Sequence, residues 1–98
     1  MIDVVKSDTF NRWLAGLRDV KAVARVTVRI DRLATGNPGD VRPVGEGISE
    51  MRIDYGPGYR VYFLRRGQKV VILLCGGDKS TQRKDIATAK AIAAQWRD

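Results

Sequence analysis

Apolar positions near the start of the chain recur at helical spacing. Phe10, Trp13, Leu14 and Leu17 fall at i, i+3, i+4 and i+7, one face of a helix. Ser7 or Asp8 stands just before them, and either can accept from the free N–H groups of a first turn. The preceding Ile2 to Lys6 reads as a short strand. From Val20 to Ala34 two periods compete. Val23, Val26, Ile30 and Leu33 form a helical stripe, whereas Val26-Thr27-Val28-Arg29-Ile30 alternates and is rich in β-branched residues. The stripe is the longer pattern and predicts a helix, with Arg25, Arg29 and Arg32 on one solvated face. Thr35-Gly36-Asn37-Pro38-Gly39-Asp40 breaks the chain, and a polar, glycine-containing loop is expected to run on to about Gly47.

The second half changes period. Ile48 to Tyr55 and Tyr59 to Arg66 read as strands joined by Gly56-Pro57-Gly58. Gly67-Gln68 suits a two-residue hairpin with glycine first. Lys69 to Cys75 is apolar on both faces, as expected of an interior strand. Gly76-Gly77-Asp78-Lys79 ends it, and Ser80 is placed to cap a last helix with Ile86, Ala89, Ala93 and Trp96 on its apolar side. The order β-α-α-β-β-β-α predicts an α+β fold over residues 1–98. It is a small antiparallel sheet with two N-terminal helices and one C-terminal helix in a single domain.

Strand alternation then sorts the polar side chains. Met51, Ile53 and Tyr55 share one face, and Glu50, Arg52 and Asp54 the other; Arg60, Tyr62 and Leu64 oppose Tyr59, Val61 and Phe63. With tight turns, Arg52 faces Tyr62, Asp54 faces Arg60, Tyr62 faces Leu73 and Arg60 faces Cys75. One sheet face thus gathers Arg52, Arg60 and Tyr62, with Lys79 at its edge. A one-residue slip would scatter them. Two readings of this face stand. Forked guanidinium groups and a phenol make a phosphate or nucleotide site. Alternatively, the same charges pair across strands, Arg60 with Asp54 and Arg52 with Glu50 or Tyr62, and are structural. Arg65-Arg66 at a hairpin tip is either solubilising or tracks a phosphate backbone. Trp13 and Trp96 lie on apolar stripes and read as core, and Cys75, ending a buried strand, as inert.

Composition narrows the chemistry. The chain has 18 Lys+Arg, 11 Asp+Glu and no histidine, for a net charge of +7. Residues 1–49 carry eight basic and six acidic groups, residues 50–98 ten and five, so the excess sits in the strand-rich half. An anionic partner follows. Absent histidine removes Ser-His-Asp and Cys-His nucleophiles, histidine-ligated zinc and the usual neutral-pH proton shuttle. The single Cys75 removes a disulfide framework or a cysteine-cluster metal site. No metal or other cofactor is expected. The longest uncharged run, Val70 to Gly77, is too short to span a bilayer, and the N-terminus lacks a signal layout. The expectation is a cytoplasmic protein with no membrane partner.

Three blocks carry a family resemblance: Gly47-Ile48-Ser49-Glu50-Met51-Arg52-Ile53, Gly58-Tyr59-Arg60-Val61-Tyr62-Phe63, and Leu73 to Ile86 with its Asp78-Lys79-Ser80-Thr81-Gln82 core. They resemble the phage Gp49-like, HigB-type branch of the RelE/ParE toxin superfamily, the addiction-module killer proteins. Phe10-Asn11-Arg12-Trp13-Leu14 and the Gly36-Asn37 loop fit as well. The resemblance implies a RelE-like fold and the toxin of a type II toxin–antitoxin module. It further implies an mRNA endoribonuclease that acts on translating ribosomes and is neutralised by a helix-turn-helix antitoxin. Family sites are basic and lie on the sheet and its rim; carried over, they fall on Arg60, Arg52 and Lys79, with Tyr62 beside them. Arg65, Arg66 and Lys84 are the expected RNA-binding residues. The histidine acid and base of some relatives have no counterpart here.

RNA cleavage needs the 2′-hydroxyl deprotonated, the phosphorane charge stabilised and the leaving oxygen protonated. In this reading Arg60 stabilises the charge, Glu50 or Lys79 is the base, and Tyr62 stacks a base or serves as acid. Two other functions fit the composition: a ParE-type inhibitor of DNA gyrase, which is an interaction protein, and a non-catalytic nucleic-acid-binding module.

Overall fold

The computed structural model describes residues 1–96. It consists of β1 (Asp3–Lys6), α1 (Asp8–Gly16), α2 (Val20–Ala34), β2 (Val41–Gly45), β3 (Ile48–Ile53), β4 (Tyr59–Arg66), β5 (Val70–Gly77) and α3 (Gln82–Gln95), with a 3₁₀ turn at Lys79–Thr81 before the last helix. The strands form one sheet in the order β1-β5-β4-β3-β2. β2 to β5 make an antiparallel meander, and β1 adds to β5 in parallel. The α+β architecture read from the sequence is the one observed.

β2 is a strand the sequence pattern did not announce. Its burial alternates weakly and it contains Pro43, which lacks a ladder donor and is tolerated on a sheet edge. The hairpin into β3 is closed by Glu46-Gly47, both at positive φ (55° and 79°), the backbone that matches strand twist in a two-residue loop. A Glu-Gly pair is a weaker signal of that turn than Asn-Gly.

α1 is capped by Ser7, whose hydroxyl accepts from Phe10 N–H at 3.0 Å and donates to Leu74 O at 2.6 Å. α2 is helical throughout, with Ala22, Val26, Ile30 and Leu33 buried and Asp19 as its cap. Arg25 and Arg32 are exposed as expected, but Arg29 is partly buried. Its guanidinium donates to Arg52 O at 2.5 Å and Pro38 O at 3.0 Å, so it ties α2 to β3 and to the preceding loop. Ser80 does not cap the last helix: Thr81 stands at its start without a side-chain cap hydrogen bond, and Asp78 caps the 3₁₀ turn before it. Its carboxylate accepts from Ser80 N–H at 2.8 Å, while its own N–H approaches the Thr81 hydroxyl at 3.4 Å.

Both strand registers differ from the tight-turn expectation. β3 ends at Ile53, so a five-residue loop replaces the three-residue turn, and Arg52 lies opposite Arg60 and Glu50 opposite Tyr62. The shift is two residues, an even number, and every side chain keeps its face. Between β4 and β5 the loop is Gly67-Gln68-Lys69, one residue longer than expected. The pairing then steps from Phe63↔Leu73 to Tyr62↔Cys75, leaving Leu74 as a bulge. Leu74 and Cys75 consequently face the same side, and Arg60 is carried on to lie opposite Gly77.

Two apolar layers result. Phe10, Val26, Ile30 and Leu33 from α1 and α2 pack on Met51, Ile53, Val61, Phe63, Val71 and Leu73. On the opposite sheet face, Ala89 and Ala93 of α3 pack on Ile48, Tyr62, Leu64, Ile72, Leu74 and Cys75. Trp13 and Trp96 are partly buried against these two layers respectively. α3 covers only part of its face; the polar residues Glu50, Arg52 and Arg60 lie at the end that its first turn borders, Glu50 beneath Gln82.

β5 ends where both layers close on it. A Cβ at Gly76 would lie 2.3 Å from the Trp13 ring, and one at Gly77 would lie 1.8 Å from an Asp85 carboxylate oxygen. Gly76→Ala is expected to destabilise the fold by about 1–3 kcal/mol, the usual effect of overpacking against a rigid neighbour. Urea denaturation of this variant beside the parent measures it, with Gly16→Ala as a control site that has open space around it.

Candidate functional site

The polar end of the sheet is organised by a buried carboxylate. Glu50 points from β3 to the α3 side and is 0% exposed. Four donors from three elements converge on it. Arg42 of β2 reaches Oε1 at 3.0 Å. Gln82 of α3 reaches Oε2 at 2.8 Å, and the Tyr62 hydroxyl of β4 reaches the same oxygen at 3.1 Å. Arg60 Nε stands 3.5 Å from Oε2 as an ion pair, without a fully formed hydrogen bond. Burial alone would raise the Glu50 pKa, but hydrogen bonds from Gln82, Arg42 and Tyr62 outweigh it together and hold the carboxyl below its ordinary value. Tyr62 is shifted up, first by burial and then by the negative charge it faces.

Arg60 leaves this hub toward the surface. Its side chain is only 12% exposed, and Nη1 donates to Gly58 O at 2.9 Å, so the guanidinium is fixed at two points. Gly58 adopts φ +80°, and a Cβ there would touch both Arg60 Nη1 and Lys79 Cβ within 3.6 Å. That places Lys79, exposed on the 3₁₀ turn, on the same rim as Arg60. Arg52 sits opposite Arg60 and pairs with Asp40 at 2.8 Å; its side chain is 42% exposed. The Asp40 carboxyl is held below its usual value, chiefly by the hydrogen bond from Arg52. Asp78, at the start of the turn, is likewise lowered, chiefly by the Ser80 hydroxyl at 2.5 Å.

The structure thus brings together Glu50, Arg52, Arg60, Tyr62 and Lys79, but distributes their roles differently from the sequence reading. Arg60 pairs across strands with Glu50, and Arg52 pairs with Asp40 in the loop before β2. Tyr62 is 0% exposed and presents no ring face on which a base can stack. Arg65 and Arg66 lie at the far end of β4, roughly 17–20 Å along the strand from Arg60 at about 3.3 Å per residue. Arg66 donates to Trp96 O there. Lys84 is exposed on the first turn of α3. Cys75 is buried, and burial pushes its thiol up to about 12, which leaves it unreactive at neutral pH.

Sequence reasoning missed Arg42, Gln82 and Asp40. Arg42 and Asp40 lie in a segment read as loop, and only the β2–β3 hairpin brings Arg42 beside Glu50. The Asp78-Lys79-Ser80-Thr81-Gln82 block did contain the signal for Gln82, since a residue at the start of a helix packed on the sheet must face it or solvent. Among the described residues no cluster of histidine, cysteine or acidic side chains is arranged to hold a metal. No helix among them is long and apolar enough to cross a membrane.

A RelE-like α+β sheet with a cationic, histidine-free rim is the class that fold and site define. Residues 12–96 match the family described as "Phage derived protein Gp49-like (DUF891)", and the chain belongs to that family. The family is assigned to addiction-module toxins of RelE-like type, and an antitoxin is the partner this implies. The chain is also similar to an uncharacterized protein of Haemophilus influenzae (strain ATCC 51907 / DSM 11121 / KW20 / Rd), 50% identical over 94 residues, covering 96% of this chain and 95% of the relative.

Removing the hub's anion strands two guanidinium groups, one of them mostly buried. Glu50→Ala is expected to cost about 3–5 kcal/mol in urea denaturation. Glu50→Gln is expected to change the pH profile as well. A carboxyl whose folded pKa lies below the unfolded value of about 4.3 contributes stability above that value. The contribution is lost as pH falls through the lowered folded value. Asp19, Asp40 and Asp78 act with the same sign. The acid limb of stability is therefore expected to be shallower in Glu50→Gln than in the parent, but not flat.

Proposed function

We propose that this protein is the toxin of a type II toxin–antitoxin module and cleaves mRNA on the translating ribosome. The observation that carries this reading is Arg60, a guanidinium fixed by Glu50 and by Gly58 O on a sheet rim shared with Arg52 and Lys79. A rigid, pre-oriented cation stabilises charge that develops in a transition state better than a mobile one, because nothing needs to reorganise when the charge appears.

In this mechanism the 2′-oxygen of one nucleotide loses its proton and bonds to the adjacent phosphorus. The 5′-oxygen of the next nucleotide leaves with a proton, giving a 2′,3′-cyclic phosphate and a free 5′-hydroxyl. Arg60 holds the phosphorane oxygens. Arg52 binds a neighbouring phosphate oxygen in exchange for Asp40. Lys79, exposed beside Arg60, exchanges protons with the reacting oxygens, together with solvent. Glu50 and Tyr62, both fully buried, are positioning residues: they fix the direction of Arg60 and do not touch the RNA. With no histidine, and with the carboxylates nearby engaged, Asp40 by Arg52 and Asp78 by Ser80, the free protein is a slow nuclease. Alignment of the mRNA by the ribosome supplies much of the acceleration. Neutralisation then falls to an antitoxin of the helix-turn-helix kind in the cytoplasm.

Arg60→Ala is expected to lower cleavage at least about 100-fold, the scale of losing one oriented donor. Arg60→Lys is expected to restore little, since a point charge lacks the fork that meets both Gly58 O and a phosphate. The measurement is mapping of mRNA 5′ ends after induction of each variant, with circular dichroism to establish folding. New ends at a recurrent position in the reading frame, lost in both variants, support the reading. Growth arrest with intact mRNA, and DNA-damage signalling in its place, would transfer the assignment to gyrase inhibition.

A further inference from the structure

Beside the Glu50 hub, away from Arg52 and Lys79, lies an open cleft of about 330 Å³ lined by Arg42, Gln82, Arg83 and Ile86. We propose that this cleft is a second nucleotide subsite, holding the phosphate and sugar or base of a residue that flanks the one at Arg60. The inference rests on the RNA reading above and extends it to residues on β2 and α3.

Charge is the first argument. Glu50 carries one negative charge and is shared by two guanidinium groups, Arg42 and Arg60. The hub therefore keeps a net positive charge. Arg83 adds another, and no carboxylate is among the lining residues. Arg42 is anchored through Nε alone at 3.0 Å, and its side chain remains 51% exposed. A guanidinium held at one edge and open at the other is oriented for a forked contact with a phosphate. Shape is the second argument. Ile86, partly buried against the α3 layer, gives the cleft an apolar wall for a ribose or base, while Gln82 supplies an amide at its inner edge. Connection is the third. Arg42 and Arg60 approach opposite oxygens of one carboxylate, Oε1 and Oε2. The cleft and the Arg60 rim are thus a single carboxylate's width apart, within reach of neighbouring nucleotides on one strand. The ligand that draws on Arg42 and Gln82 also draws on two of the donors that hold Glu50, so filling the cleft and orienting Arg60 are coupled.

The test uses a short single-stranded RNA of mixed sequence, 2′-O-methylated so that it cannot be cleaved, with binding to the full chain followed by fluorescence anisotropy across a salt series. Arg42→Ala disturbs the hub and its folding, so the decisive variant is Arg83→Glu, an exposed residue outside the hub. Arg18→Glu, exposed between α1 and α2 on the other side of the sheet, matches its change in net charge. The expected result is at least a tenfold loss of affinity for Arg83→Glu, a loss under threefold for Arg18→Glu, and a salt slope flatter by about 0.7 for each phosphate contact removed. RNA-induced shifts of the Ile86 methyl and Gln82 side-chain amide resonances are expected in the parent. Equal losses in the two variants with no shift at Ile86 would overturn the subsite while leaving RNA as the ligand. Absence of RNA binding by the parent at low salt would overturn the RNA reading, and the subsite with it.

Discussion

A carboxylate with no exposure to water is the constraint on which the polar end of this molecule depends. Leaving Glu50 charged inside the protein is tolerable only if its lone pairs are filled, and no single element can fill them. Arg42 comes from β2, Tyr62 and Arg60 from β4, and Gln82 from the start of α3. Each donor arrives only if its element is in register, so the hub checks the placement of three elements against a fourth. Stability alone does not account for such a cluster, since apolar residues of similar volume often serve at least as well. A fixed direction for Arg60 is something they would not provide.

A second chain of contacts reaches the same rim from the opposite layer. Arg29 of α2 donates to the carbonyls of Arg52 and Pro38, and Arg52 in turn accepts Asp40 as its ion-pair partner while its N–H donates to Asp40 O at 2.9 Å. Tyr55 and Asp19 join the β3–β4 loop to the start of α2 with a 2.8 Å hydrogen bond, and Arg25 lies 4.7 Å above the Tyr55 ring. α2 is therefore attached to the candidate site through its polar side chains, although its apolar face packs on the other side.

Much of this was legible from the sequence, and the exceptions have local causes. Periodicity located all three helices and four of the five strands, because each buries a regular stripe. β2 escaped since an edge strand buries little and carried a proline. The grouping of Arg52, Arg60 and Tyr62 on one face survived a register error because the error was even. By contrast, partner identities depend on register itself: the pairing of Arg60 with Glu50, and not Asp54, follows from a loop two residues longer than the turn residues suggested. Burial was the other hidden quantity. Nothing in the alternation of β3 distinguishes Glu50, which α3 and Arg42 enclose, from Arg52, which they leave open.

Gly76 and Gly77 are in contact with opposite layers: Trp13 rests on one and the Asp85–Thr81 pair, joined at 2.5 Å, on the other. At that point the sheet is one backbone thick, with no side chain on either side to absorb a displacement. Elsewhere the layers are cushioned by aliphatic groups that can change rotamer; here only backbone separates the indole from the turn that carries Lys79. The consequence is a mechanical one. The layer that carries Trp13 and the turn that carries Lys79 are held a single peptide's thickness apart, and a side chain at either glycine would force one of them away.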